Sequence, residues 1–343
     1  MPRPTGDRPG AGPRRRADRL ASAVRVAALA AVLVALAACS RPAGTGGDRP
    51  PAADPTAETA NRGQGAGWLP PVRLGTLAPE VDESSGLAAS RRNPGRLWTH
   101  NDSGDGPFIY CLAPSGEPCG TWRVTGAAAR DWEDMAVGPG PVAGTDYLYI
   151  GDIGDNLADQ AQMTVYRVPE PAVGDGPPPA GGSAPLPTEA AEAIRLRYPD
   201  GPRDAEALMV HPTTGDLYIV SKEAGPNVYV ARAPLSTTGT TTLERVATLG
   251  ISGGDLFTLV TGGDISPDGT RVALSTYLEG VELTLPAGAS SFDAVWSASP
   301  QPVDLGLRPQ GEAVAYRLDG QALLATSESR GGAAAPIFET VRR

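Results

Sequence analysis

Arg130-Asp131-Trp132-Glu133-Asp134-Met135-Ala136-Val137-Gly138-Pro139 lies over Arg203-Asp204-Ala205-Glu206-Ala207-Leu208-Met209-Val210-His211-Pro212 without a gap. Arg, Asp, Glu, Val and Pro recur in register, with Met135 facing Leu208. Each copy runs through a turn into a second apolar strand, Leu148-Tyr149-Ile150 or Leu217-Tyr218-Ile219, and then a third, Val165-Tyr166-Arg167 or Val228-Tyr229-Val230. Working outward, a fainter copy opens at Glu83-Ser84-Ser85-Gly86-Leu87, with Leu97-Trp98 and Ile109-Tyr110 in the later slots. Two more open at Gly263-Asp264-Ile265 and Glu312-Ala313-Val314. Aligning Ser85, Glu133, Glu206, Gly263 and Glu312 gives steps of 48, 73, 57 and 49 residues. The long step contains a Pro/Gly-rich insert near 171–188, expected as a surface loop.

Repeats of this length with several short strands read as the blades of an all-β propeller, each a four-stranded sheet. The strands are rich in Val, Ile, Leu, Tyr and Thr, and 43 Gly and 35 Pro supply the turns between them. Five blades are counted; six would fit if the 73-residue step held part of another. The last copy has only three strands, near 312–318, 321–327 and 336–341, so Val72–Leu77 is expected to supply its fourth and close the ring. Closure removes the open sheet edges that invite aggregation.

In a propeller the start of each first strand and the end of each second strand share one rim of the central channel. Starts of first strands carry Asp131, Glu133 and Asp134, then Asp204 and Glu206, then Asp264 and Glu312. Ends of second strands carry Asn101-Asp102-Ser103-Gly104-Asp105, Asp152-Ile153-Gly154-Asp155-Asn156, Lys222-Glu223 and Glu328. So many carboxylates on one mouth repel one another unless some are protonated or a cation neutralises them. Hard cations suit oxygen-only donor sets, and calcium takes six to eight such ligands. Asp102, Asp105, Glu133, Asp134, Asp152, Asp155, Asn156 and Glu206 are therefore candidate calcium ligands. Arg130, Arg203, Lys222, Glu223, Glu312 and Glu328 are candidates to line a ligand site, the basic ones either meeting an anionic group or pairing with neighbouring acids. Were the protein an enzyme, Glu133 or Glu206 would be its general base.

Several classes are excluded. Two histidines and one expected disulfide leave no transition-metal cluster, and no nucleophile elbow, P-loop or dinucleotide fingerprint is present. His100 precedes the acidic Asn101-Asp102 turn, while His211 falls in a turn on the opposite rim and reads as structural. The formal charge is −10, and beyond residue 38 it is −15, from 22 basic against 37 acidic residues. That balance argues against nucleic acid as a partner.

Residues 1–38 read as an export signal: Arg14-Arg15-Arg16, Arg19 and Arg25 precede an apolar run from Val26 to Cys39. That run is too short to span a bilayer as a helix. Its end, Leu36-Ala37-Ala38-Cys39, resembles the bacterial lipobox, which implies a lipidated Cys39 at the start of the mature chain. Residues 39–67 lack the apolar side chains of a core and read as a tether, leaving 68–343 as the domain. The expected place is extracytoplasmic, with membrane contact only through the anchor and a single-copy protein meeting a small-molecule or cell-envelope ligand. In an oxidising compartment Cys111 and Cys119, flanking Pro114-Ser115-Gly116, are expected to pair.

Glu83–Leu87, Arg130–Val137, Arg203–Val210, Leu217–Glu223 and the two acidic turns resemble the secreted bacterial propellers grouped with SdiA-regulated and phytase-like proteins, over roughly 80–330. The resemblance implies a propeller outside the cytoplasm and, in the phytase-like branch, calcium-assisted hydrolysis of phosphate esters. The positions it carries over are the acidic inner-strand Glu133, Glu206 and Glu312. The dense basic cluster of a polyphosphate site is not evident. The reading is thus a ligand-binding propeller with an acidic, calcium-holding mouth; the alternative is a metal-assisted hydrolase of a phosphoester or lactone.

Overall fold

Five small sheets account for the repeat. The structure, a computed structural model, describes residues 67–102, 104–174, 184–329 and 334–343. The export segment, Cys39 and the tether up to residue 66 lie outside the described residues. β1 (Val72–Thr76) precedes the first repeat, and β2 (Ser84–Ala89), β3 (Leu97–Asn101), β4 (Phe108–Leu112) and β5 (Pro118–Thr125) form the first blade. β6 (Trp132–Pro139), β7 (Asp146–Asp152), β8 (Met163–Pro169) and, after β9 (Leu186–Ala190), β10 (Glu192–Arg197) form the second. The third holds β11 (Ala205–Val210), β12 (Leu217–Ser221), β13 (Asn227–Ala231) and, after β14 (Thr240–Thr242), β15 (Glu244–Thr248). β16 (Val260–Ile265), β17 (Arg271–Thr276), β18 (Gly280–Thr284) and β19 (Gln301–Val303) make the fourth. In the fifth, β20 (Gly311–Tyr316), β21 (Ala322–Ser327) and β22 (Pro336–Val341) are completed by β1, which pairs antiparallel with β22. The molecule is a five-bladed propeller, and its N-terminal strand closes the ring.

One expectation is corrected in part. The insert near 171–188 is not all loop, because its last residues enter β9, which adds parallel to β5 at the edge of the preceding blade. β14 does the same to β10. Each added strand covers an edge that would otherwise expose unpaired backbone groups.

The core is divided among the gaps between blades. Trp98, Trp122, Trp132 and Met135 pack between the first and second blades. Tyr149, Leu208, Ile219 and Tyr229 pack between the second and third, and Met209, Tyr218, Val272 and Trp296 between the third and fourth. This is sheet-on-sheet packing repeated round a ring, with alternate residues of each strand feeding the gap on either side. Truncating a fully buried Trp98 to Ala in such a gap costs about 3–5 kcal/mol. The ends are stapled too: Arg342 sits 4.2 Å over the Trp68 ring and pairs with Glu282, which also accepts from the Tyr316 hydroxyl at 2.7 Å. Cys111 and Cys119 form a disulfide between β4 and β5 across a Cα separation of 5.0 Å. No helix among the described residues is long and apolar enough to cross a membrane.

Candidate functional site at the channel mouth

The innermost strand of every blade slips its register against its neighbour at one place. The slips fall between Ser84 and Gly86, Trp132 and Asp134, Ala205 and Ala207, Val260 and Gly262, and Gly311 and Val314. The bulged positions are therefore Ser85, Glu133, Glu206, Thr261 and Glu312, in the last case shared with Ala313. A bulge bends the strand and re-aims its side chain, and five of them build a ring of three carboxyls and two hydroxyls round the mouth. Both hydroxyls turn sideways onto the next blade, Ser85 donating to the Glu133 carbonyl at 2.5 Å and Thr261 to the Glu312 carbonyl at 3.1 Å. In the fourth blade the slot belongs to Thr261 and not to Gly263. Asp264 accordingly lies near the far end of β16, where it accepts the N–H groups of Ile265 and Tyr316 at 2.8 Å each.

Three carboxylates converge beside this ring. Asp102, Asp131 and Glu133 each place an oxygen within 4.8 Å of the others. Gly154 from the facing turn makes this possible, since a Cβ there would collide with Glu133 Oε1 and Asp131 Oδ2. Burial pushes the Asp131 carboxyl up to about 7, reinforced by Asp102 and Asp204 and opposed by Arg130. Burial raises Glu133 well above the usual range as well, with Asp102, Glu206 and Asp131 adding to it. An all-oxygen set held against its own repulsion fits a hard divalent cation, with Asp102, Asp131 and Glu133 as its holders.

The neighbouring arc is organised by Lys222, the chain's single lysine. Its ammonium pairs with Glu206 and lies 5.2 Å over the Tyr277 ring. Burial works against that charge, but Glu206, Tyr277, Glu312 and Glu133 outweigh it and raise the pKa. Burial lifts Glu206 to about 8 in spite of Lys222, and its second oxygen, Oε2, is buried without a hydrogen-bond partner. Glu312 is raised by burial and by Glu328 and Glu206, and accepts from Gln310 Nε2 at 2.9 Å.

The remaining expected residues mostly hold the scaffold. Asp134 turns into the channel and accepts three backbone N–H groups, from Met135, Leu208 and Gly263. Asp155 accepts from the N–H groups of Asp159 and Gln160, bracing its own turn, and Asp105 accepts from Asn101 and Tyr110. Asp152 accepts the Asp131 N–H at 3.0 Å and lies 3.5 Å from Arg130, which also donates to the Gly154 carbonyl at 3.0 Å. Asn156 is exposed in the same turn. Arg203 pairs with Asp200 and Glu223 and lies over the Tyr198 and Tyr229 rings. His100 is wholly buried edge-on to Trp132, and burial lowers its pKa to about 4, so it is neutral. Sequence reasoning did not find Tyr277 or Arg308. The latter, buried, donates to Ser275 Oγ and to the carbonyls of Thr276, Glu279 and Thr326. Both sit in loops between strands, where the repeat carries no signal.

No family model and no curated protein matches the chain. Among solved structures, the chain is similar to the WD40 repeats of RRP9, at 13% identity and TM-score 0.36 over 76% of this chain and 67% of that one. It is also similar to a chain of a nidogen/laminin complex, at 12% identity and TM-score 0.41 over 72% of each. A third similar structure is U3-55K, at 12% identity and TM-score 0.36, covering 75% of this chain and 67% of that one.

Proposed function

We propose that this protein is a lipid-anchored, extracytoplasmic propeller that binds a small ligand or a polymer segment at an acidic mouth holding calcium. The observation that carries the reading is the convergence of Asp102, Asp131 and Glu133 within 4.8 Å. Three carboxylates at that separation offer three of the six to eight oxygen ligands calcium takes, and bound ligand or water would supply more. The anchor rests on Leu36-Ala37-Ala38-Cys39, and Cys39→Ser is expected to move the protein from the membrane fraction to the soluble one.

Calorimetric titration with calcium chloride tests the mouth. One equivalent should bind to the wild type, and Asp131→Asn should abolish the heat. A flat wild-type titration overturns the reading.

A second reading, metal-assisted hydrolysis of a phosphoester or lactone, draws on Glu206, a buried carboxyl lifted to about 8 by burial and close enough to the proposed cation set to raise Glu133. That is the setting of a general base working next to a Lewis acid. It predicts calcium-dependent turnover of p-nitrophenyl phosphate or of a simple lactone, lost in Glu206→Gln while calcium still binds.

A further inference from the structure

The charge of the mouth restricts what its ligand can be. This inference rests on the reading of the mouth as a ligand site, and calcium enters it only through its charge. The outer cations of the rim are matched by acids, Arg130 by Asp152 and Arg203 by Asp200 and Glu223. The inner groups are not matched. Asp102, Asp131 and Glu133 bring three negative charges against the two of calcium. Glu206, Glu312 and Glu328 bring three more against Lys222 and Arg308. With these six acids ionised and calcium bound, two negative charges still stand without a counter-charge.

Glu206 marks where a further cation would be received. Its Oε1 holds the Lys222 ammonium, while its Oε2, on a residue 5% exposed, is buried with no hydrogen-bond partner. Protonation does not relieve that atom, since an Oε2–H group would be a buried donor without an acceptor. A buried polar atom left unpaired costs stability until a partner reaches it. A second metal ion is not the match. Among the described residues the trio close enough to share one ion is Asp102, Asp131 and Glu133, and Glu206 stands outside it. An ammonium needs no such convergence, because each of its N–H groups bonds a single oxygen. A hydroxyl could bond Oε2 as well, but it brings no charge. Lys222 shows what the mouth accepts: its ammonium is held by the Glu206 carboxylate and lies 5.2 Å over the Tyr277 ring, with Glu312 and Glu133 acting on its charge. Carboxylate and ring face together are the chemistry that recognises an aliphatic ammonium.

We infer that the ligand of the mouth is an aliphatic amine with at least two ammonium groups, one of them bonded to Glu206 Oε2 next to the Lys222 pair. Free polyamines and the lysine side chains of a basic polypeptide present the same group, and the test separates them.

The full-length protein in detergent is titrated in a calorimeter with calcium chloride, spermidine, trilysine and sorbitol, at low and at high sodium chloride. Spermidine or trilysine is expected to bind with calcium already present, and more weakly at high salt. Spermidine binding marks a free amine, and trilysine binding alone marks a polypeptide. Glu206→Gln should weaken the amine by about tenfold, the loss of one charge-assisted hydrogen bond, and leave the calcium heat as in the wild type. That variant also strips Lys222 of its partner, so Lys222→Met supplies a second readout. With both Glu206 oxygens released it should bind the amine more tightly than the wild type, which a misfolded protein cannot do. Equal amine binding by the wild type and Glu206→Gln would mean counterion screening only and overturns the site. Calcium binding with no amine retained overturns the ligand class and leaves the calcium site standing, as does retention of sorbitol in place of the amines. Amine binding without calcium heat would instead remove calcium from the mouth and bear out the ammonium site. Failure of every titrant removes the mouth as a ligand site, and this inference with it.

Discussion

One carboxylate oxygen of Asp134, in the second blade, accepts the backbone N–H of Gly263, in the fourth, at 3.1 Å. The same oxygen accepts Leu208 N–H from the third blade at 2.9 Å, and the other takes Met135 N–H at 2.8 Å. A single side chain thus ties three inner strands together within the channel. Asp264 repeats the device between the fourth blade and the fifth through Tyr316. The channel interior is fastened by carboxylates spent on backbone, and the remaining acidic groups gather at the bulged ring above.

Asp134→Asn tests the fastening. Asparagine has the same shape, but one of the two accepting oxygens becomes an amide N–H, which cannot accept from the backbone N–H groups that faced it. Leaving a buried donor unsatisfied costs about 1–3 kcal/mol, and urea unfolding should show a loss of that order with calcium affinity unchanged. A variant as stable as the wild type would show that the three contacts contribute nothing.

The Cys111–Cys119 bridge closes a short loop, with a sequence separation of 8. Chain-entropy reasoning gives about 2–3 kcal/mol for a loop of that size. Reduction should lower the unfolding midpoint accordingly without altering calcium binding, because the bridge joins β4 to β5 and touches no mouth residue. Free thiols in the native protein by mass spectrometry would contradict the pairing.

What the sequence disclosed follows from how repeats write themselves. Glu133, Glu206 and Glu312 stood out because an acid recurs at the same offset before an apolar strand, and a bulge then points all three at the mouth. The fourth blade misled: Gly263-Asp264 resembles the motif, whereas Thr261 fills the slot and has no charge to align on. Asp134 shows the resolution limit of such reading. It is one residue beyond Glu133, and that single step carries it from the mouth into the channel, so a list of acids in order could not separate their roles. Tyr277, Arg308 and the cross-blade hydrogen bonds depend on which loops meet in space, and nothing in the strand periodicity encodes that.

Lys222 and Glu206 form a buried pair, and removing one partner of such a pair costs about 3–5 kcal/mol. In Lys222→Met, Glu206 escapes part of that cost by staying protonated. Its folded pKa, already raised to about 8 by burial with Lys222 present, moves higher still. A carboxyl whose folded pKa lies above its unfolded value loses stability as pH rises between the two. The deficit of Lys222→Met should therefore be small near pH 6 and grow toward pH 9. Adding Glu206→Gln should remove the pH dependence. Equal deficits at both pH values would show that Glu206 is not what Lys222 neutralises.

On the calcium reading proposed above, calcium and protons would compete for the Asp102, Asp131 and Glu133 oxygens. Asp131, raised to about 7, is largely protonated at pH 6 and largely ionised at pH 8. A ligand must be deprotonated to hold a metal, so binding releases protons and affinity climbs with pH. The apo protein behaves in the opposite sense. Asp131 binds a proton more tightly when folded than unfolded, so metal-free stability declines as pH rises from about 4 to about 7 and levels off above. In EDTA, Asp131→Asn should abolish part of that decline and leave the variant at least as stable as the wild type at pH 8. With excess calcium the order should reverse, because only the wild type gains the mass-action stabilisation of about 2.7 kcal/mol at a hundredfold excess over Kd. Scanning calorimetry of the two proteins at pH 6 and pH 8, in calcium and in EDTA, reads all of these signs. A wild-type midpoint that rises from pH 6 to pH 8 in EDTA would show that Asp131 is not held protonated by burial and its acidic neighbours.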